Sequence, residues 1–175
     1  MPDLTLLIIY FAVGIILLIA LFNGAIYGAS YQRLPTRKLK KIIKMGNLNS
    51  KMNVLDLGAG YGRIMFEAAK TGANVVGYEI DPAKAYWITQ QIKKKMFTSD
   101  TVLDVSIRKE NLLNADLSQA DVVYCYLAPK LMQSLGVKAQ KEMKLGARLI
   151  SVEHRIDFLK PTFEDSKDKI YMYQF

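Results

Sequence analysis

The sequence predicts a doubly wound, mostly parallel α/β sheet behind a single N-terminal transmembrane helix. Three features of its 175 residues carry that expectation. An uncharged apolar run fills residues 4–22, β-rich runs alternate with helical stretches through the rest, and a glycine cluster follows the first of those runs. Strands separated by helices at this spacing pair in parallel through right-handed crossovers. Ligands then bind outside the carboxyl ends of the strands, at the switch point beside the first one.

At ~1.5 Å per residue the first run covers roughly 29 Å, close to the hydrocarbon thickness of a bilayer. A cleaved signal peptide would carry basic residues ahead of a shorter run. Here Met1, Pro2 and Asp3 precede it, and Arg33, Arg37, Lys38, Lys40, Lys41 and Lys44 follow it. A domain this small could hardly bury a helix that is apolar on every side. Residues 1–30 are therefore expected to be a retained single-pass anchor, with residues 31–175 a folded domain on the cytoplasmic or equivalent side.

The net charge of +8 does not call for nucleic acid. Much of the excess follows the anchor, where it serves topology and attraction to anionic lipid, worth about 1 kcal/mol per basic residue near the surface. Lys93, Lys94 and Lys95 end a predicted helix, where cations suit the dipole. Membrane lipid is thus the expected partner of the N-terminal helix, and no nucleic acid is expected. With Cys125 the sole cysteine and His154 the sole histidine, neither a disulfide framework nor a metal site is expected.

Along the domain, residues 35–45 read as a basic amphipathic helix with Leu39, Ile42 and Ile43 on one face, stopped by Gly46 and Asn47. Residues 54–57 form the first strand, which runs into the glycine cluster, and a helix continues to about residue 70. Residues 75–79 are a second strand. Asp81 caps a helix that begins at Pro82 and runs to about Phe97. A third strand over residues 102–108 leads into a loop at 110–119. A fourth strand spans 121–127, a helix 129–143, a fifth strand 148–153 and a final strand 170–175.

The chemistry gathers at four places. In Asp56-Leu57-Gly58-Ala59-Gly60-Tyr61-Gly62-Arg63, three alternate glycines let the backbone turn tightly and approach a ligand closely. A dinucleotide fingerprint, G-x-G-x-x-G, would need glycine where Arg63 stands. Asp56 would repel a pyrophosphate, yet it suits a ligand that carries an ammonium and a sulfonium. Glu79, ending the second strand, can accept both hydroxyls of a ribose. Asn111 and Leu112 follow the third strand, where the amide can accept from an adenine amine and the leucine can pack on the ring. Tyr126 and Pro129 bracket the exit from the fourth strand. There a stiffened loop with exposed carbonyls can hold an incoming amine in line with a methyl group, or the tyrosine is simply a strand former.

These residues resemble the class I S-adenosylmethionine-dependent methyltransferases. The likeness extends through Leu34-Pro35-Thr36, residues 54–63, Asn111-Leu112-Leu113, residues 120–129 and residues 146–151. It is similar in order and content to the membrane-anchored family containing the lysine methyltransferases of the ATP synthase c-subunit and the adenine nucleotide translocase. The resemblance implies a Rossmann-like methyltransferase sheet, S-adenosyl-L-methionine as cofactor and a lysine in a membrane-associated protein as acceptor. It assigns Thr36, Asp56, Gly58, Ala59, Gly60, Gly62, Arg63, Glu79, Asn111, Leu112 and Tyr126 to the cofactor, and Tyr126 and Pro129 to catalysis. Thr36 would help close the pocket, although a helix N-cap explains it equally well.

Two departures fall on the acceptor side. Leu159-Lys160-Pro161 stands where many relatives carry Trp-x-Pro, and the short tail leaves room for one closing strand instead of an antiparallel pair. Two other activities stay open. One is methyl transfer to a small or lipid-like acceptor, and the other a non-catalytic, membrane-tethered nucleotide-binding module.

Overall fold

The computed structural model describes residues 4–26, 33–98 and 103–175, with side chains at 4–18, 33–96 and 103–175. The chain divides into two units, Met1–Gln32 and Arg33–Phe175. In the first, α1 (Leu4–Ile26) is a 23-residue helix. Leu4, Leu7, Ile8, Tyr10 and Phe11 are all more than half exposed on it. Residues 4–18, where its side chains are described, cover only ~22 Å at ~1.5 Å per residue. Among the described residues, no helix is long and apolar enough to cross a membrane. Residues 1–3 and 27–30 of the expected anchor lie outside the described residues.

The second unit is built on one seven-stranded sheet. Its strands are β1 (Asn53–Leu57), β2 (Asn74–Tyr78), β3 (Val105–Arg108), β4 (Val122–Cys125), β5 (Arg148–Val152), β6 (Phe163–Asp165) and β7 (Ile170–Gln174). They lie in the order β3-β2-β1-β4-β5-β7-β6. The first five are parallel, while β7 runs antiparallel to both β5 and β6. Alternation along each strand supplies two cores. Val54, Val75, Tyr124 and Ile150 face α2 (Thr36–Gly46), α3 (Arg63–Ala69) and α4 (Pro82–Thr98). Leu55, Leu57, Val123 and Leu149 face α5 (Pro129–Glu142), with Met132 and Leu135 filling the gap. All four residues of β4 are buried, as expected of a central parallel strand covered on both faces.

Two expectations change here. The third strand begins at Val105, and Val102, its expected start, lies outside the described residues. The closing strand is not alone, because β6 pairs with it and completes the antiparallel pair. Its three residues, Phe163-Glu164-Asp165, have no side chain fully buried. So short and exposed an edge strand carries no alternation to detect.

Helix α2 is tied to the sheet by its apolar face and to the closing hairpin by its charged one. The Tyr124 hydroxyl donates to the Ile42 carbonyl at 3.2 Å. A Cβ at position 46 would fall 1.9 Å from that hydroxyl, so only glycine fits there. On the charged face, Arg37 pairs with Asp168, Lys41 with Asp165 and Asp168, and Lys38 with Glu153. Half of the basic residues read as serving lipid and topology are thus engaged by the domain's own carboxylates. Arg33, Lys40 and Lys44 make no ion pair among the described residues. Burial works to raise the Asp168 carboxyl. The Lys41 hydrogen bond and the Arg37 and Lys41 charges outweigh it and hold the group below its usual range.

Candidate active site

Past Leu57 the chain turns through Gly58, Gly60 and Gly62, at φ of 82°, 58° and 74°. Such left-handed backbone is open to glycine at little cost. The Gly58 and Ala59 N–H groups both donate to the Tyr78 carbonyl at 2.9 Å, docking the loop on the end of β2. Leu127 closes over it, and a Cβ on Gly58 would lie 2.8 Å from its Cδ2. Gly62 is the N-cap of α3 and supplies no side chain to that helix end.

Asp56 supplies it from the strand. Its Oδ2 accepts the Met65 N–H at 3.1 Å, one of the donors left unpaired in the first turn of α3. The side chain is only 2% exposed, so Asp56 belongs to the core as much as to the site. Its carboxyl is pushed up to about 7, chiefly by burial, with the Glu79 charge adding to the rise and the Met65 hydrogen bond opposing it. Glu79, 7% exposed, accepts the Gly60 N–H at 2.7 Å on Oε2 and the Asp81 N–H at 2.9 Å on Oε1. One carboxylate therefore pins the glycine loop to the end of β2.

The Arg63 guanidinium donates to the Leu34 carbonyl and, at 3.2 Å, to Thr36 Oγ1, so the start of α2 is clasped to the glycine loop. Pro35, not Thr36, is the N-cap of α2, which removes the capping account of that threonine. Asp81 does cap its helix, accepting from Ala83 at 2.9 Å and Lys84 at 3.3 Å. Asn111 is exposed and accepts the Leu113 N–H at 3.0 Å, capping a 3-10 turn at Leu112–Asn114. The oxygen expected to meet an adenine amine is thus already shared with its own loop, while Leu112 is buried. Tyr126 is half-buried and Pro129 opens α5. Burial, then the charge of Glu153, raises the Tyr126 phenol above its ordinary value.

One contributor escaped notice in the sequence. A Cβ at Gly77 would meet Met65 Sδ at 2.7 Å and the Ala59 Cβ at 3.2 Å. The signal was present, because a lone glycine inside a strand marks close approach of other atoms.

The donor set suits the expected cofactor. A carboxylate offers about four lone-pair positions, so Glu79 keeps capacity for two hydroxyls beyond its backbone bonds. Asp56 beside Glu79 disfavours an anionic ligand and favours a cationic one. Both properties fit a sulfonium nucleoside with an amino-acid tail. The family model of the ANTKMT methyltransferase domain matches residues 56–163, most of this sheet. The chain belongs to that family. It is an S-adenosylmethionine-dependent methyltransferase built on a mostly parallel, Rossmann-like sheet.

A protein-lysine N-methyltransferase of Saccharolobus islandicus (strain REY15A) is 31% identical over 128 residues, covering 72% of this chain and 77% of the relative. The Xenopus laevis lysine N-methyltransferase of the ATP synthase c-subunit is 30% identical over 122 residues, 69% of this chain. The match spans 51% of that relative, about half of its length. Among solved structures, an RNA methyltransferase from Salinibacter ruber in complex with S-adenosyl-L-homocysteine superposes with a TM-score of 0.73 at 27% identity. It covers 82% of this chain and 93% of its own.

Proposed function

We propose that this methyltransferase modifies a lysine side chain of a membrane-associated protein. The observation that carries the cofactor half of this reading is the buried Glu79 carboxylate, bonded to Gly60 and Asp81 with acceptor capacity left for a ribose. The acceptor half is supported by relatives named for lysine methylation. S-adenosylmethionine supplies an electrophilic methyl group on a sulfonium. Around it Gly58, Ala59, Gly60 and Gly62 give close backbone approach, and Asp56 holds the ammonium directly or through water. Glu79 grips the ribose, Asn111 and Leu112 border the adenine, and Arg63 with Thr36 closes the mouth. Tyr126 and the loop stiffened by Pro129 align the acceptor amine. The acceptor ammonium would shed one proton to water, and the neutral amine so formed would take the methyl while the carbon–sulfur electron pair stayed with sulfur. The positive charge would then reside on nitrogen. Alignment and exclusion of water supply the acceleration, so no acid–base dyad is needed.

Residues 1–30 act in this proposal as a single-pass anchor, with residues 31–175 as the methyltransferase domain on the cytoplasmic or equivalent side. What supports the anchor is the sequence itself, an apolar run at residues 4–22 that carries no charged residue. Anchoring confines the search to the membrane and raises the effective concentration of the acceptor. The test is incubation of native membranes with the full chain and a radiolabelled methyl donor, followed by amino-acid analysis. Label on lysine supports the proposal. Label confined to lipid, small molecules or RNA refutes the protein acceptor.

A further inference from the structure

Outside the glycine loop, the carboxyl ends of β4 and β5 bring a second polar group together. Cys125 pairs in register with Ser151, so Tyr126 and Glu153 leave the sheet on neighbouring strands. Glu153 has a φ of 69°, in the left-handed region that residues with a side chain rarely adopt and where strain collects at functional positions. Its N–H donates to the Lys169 carbonyl at 2.8 Å. Its Oε1 accepts from Lys38 Nζ at 2.8 Å, and its Oε2 lies 3.2 Å from Lys169 Nζ. The Lys38 side chain is only 17% exposed there. The end of β5 is therefore already a site that holds a lysine ammonium, next to the tyrosine on the acceptor side. A turn that served packing alone would be made at lower cost by glycine.

We propose that Glu153 is the carboxylate that receives the acceptor's ammonium, and that Lys38 occupies its place until the acceptor arrives. The assignment rests on the reading of the acceptor as lysine. Glu153 orients the amine and leaves the proton to water. The Lys38 hydrogen bond, with Lys169 adding to it, holds its carboxyl below the ordinary range, so it acts as an anion and not as a base. Exchange of one ammonium for another conserves charge at the site, which avoids stranding an unpaired carboxylate when the acceptor leaves.

The test uses the full chain in detergent, loaded with S-adenosylhomocysteine. The probe is n-butylammonium, which copies the end of a lysine side chain, with n-butanol as its neutral control. Saturation-transfer NMR is expected to detect n-butylammonium on the wild type and not n-butanol. The signal should fall at least fivefold in Glu153→Gln and Glu153→Gly, and be equal or stronger in Lys38→Met. S-adenosylhomocysteine affinity by calorimetry should stay within twofold in all three. Glu153→Gly should fold, since glycine suits the left-handed backbone. Unchanged signal in both Glu153 variants overturns the proposal. So does loss of signal in Lys38→Met alongside them, because the carboxylate would then only anchor α2. A wild type that labels membrane lysines, yet binds the probe no better than its Glu153 variants, sinks this assignment alone. A wild type that labels no lysine sinks the reading beneath it, whatever the probe does.

Discussion

Asp56→Asn isolates the charge at the heart of the proposed cofactor site. Asparagine keeps an oxygen to accept the Met65 N–H and removes the ionisation. The wild-type carboxyl is pushed up from 3.8 to about 7 by burial and the neighbouring Glu79. A raised carboxyl contributes stability that is fully present below its unfolded value and is lost as pH rises through the folded one. At about 1.4 kcal/mol per pH decade, the gap is worth on the order of 4 kcal/mol above pH 7. The ligand-free variant should therefore exceed the wild type at pH 8 by up to that amount, about 10 °C in Tm for a chain of this size. The difference should vanish near pH 4. Thermal melts of both proteins in detergent across this range measure it. Cofactor binding should show the reverse cost. Between pH 5.5 and 7, wild-type affinity for S-adenosylmethionine should climb with pH as Asp56 gives up its proton, while the variant binds weakly with little slope. A variant no more stable than the wild type at pH 8, or a stability difference indifferent to pH, would refute the reasoning. Equal binding slopes would refute the contact with the cofactor.

Other perturbations reach other parts of the site. Glu79→Gln sets an amide NH₂ against one of the two backbone donors from Gly60 and Asp81. It should cost about 1.5–3 kcal/mol of stability and at least tenfold in S-adenosylhomocysteine affinity by calorimetry; no change in either removes Glu79 from the site. Gly58→Ala forces a side chain into the left-handed region and against Leu127. A loss of roughly 1–2 kcal/mol should accompany weaker cofactor binding, checked by denaturant unfolding and calorimetry. Asp168→Asn strips Arg37 and Lys41 of their shared partner. Because that carboxyl is held low, its contribution is present above about pH 4 and fades as pH falls through the folded value. Wild type and variant should differ at pH 7 and converge in acid, and a gap that widens on acidification would contradict the ion-pair account.

The order of strands and helices, the glycine loop, the position of Glu79 after the second strand and the cap at Asp81 were all legible in the residues. Each rests on local grammar: apolar periodicity, the backbone freedom of glycine and the placing of acids at strand and helix ends. Such signals lie within a few positions of one another in the chain, and no partner from elsewhere is needed to read them. Glu79 and the glycine loop it holds are 19 residues apart, yet the parallel pairing of β1 and β2 brings them together wherever the βαβ unit forms.

Only the tertiary structure decided the roles that depend on distant partners. The basic face of α2 reads as lipid-directed until the closing hairpin, more than a hundred residues later, supplies Asp165 and Asp168. Thr36 reads equally as a pocket residue or a cap until Arg63 arrives, and the edge strand β6 is too short to announce itself before β7 pairs with it. Asp56 reads only as a carboxylate for a ligand's ammonium until α3 folds over it and buries the charge. The physical reason is common to all four. Composition and spacing determine which groups a segment carries, but the energy of a charge or an edge depends on what lies against it, and that is set by chain closure over long separations.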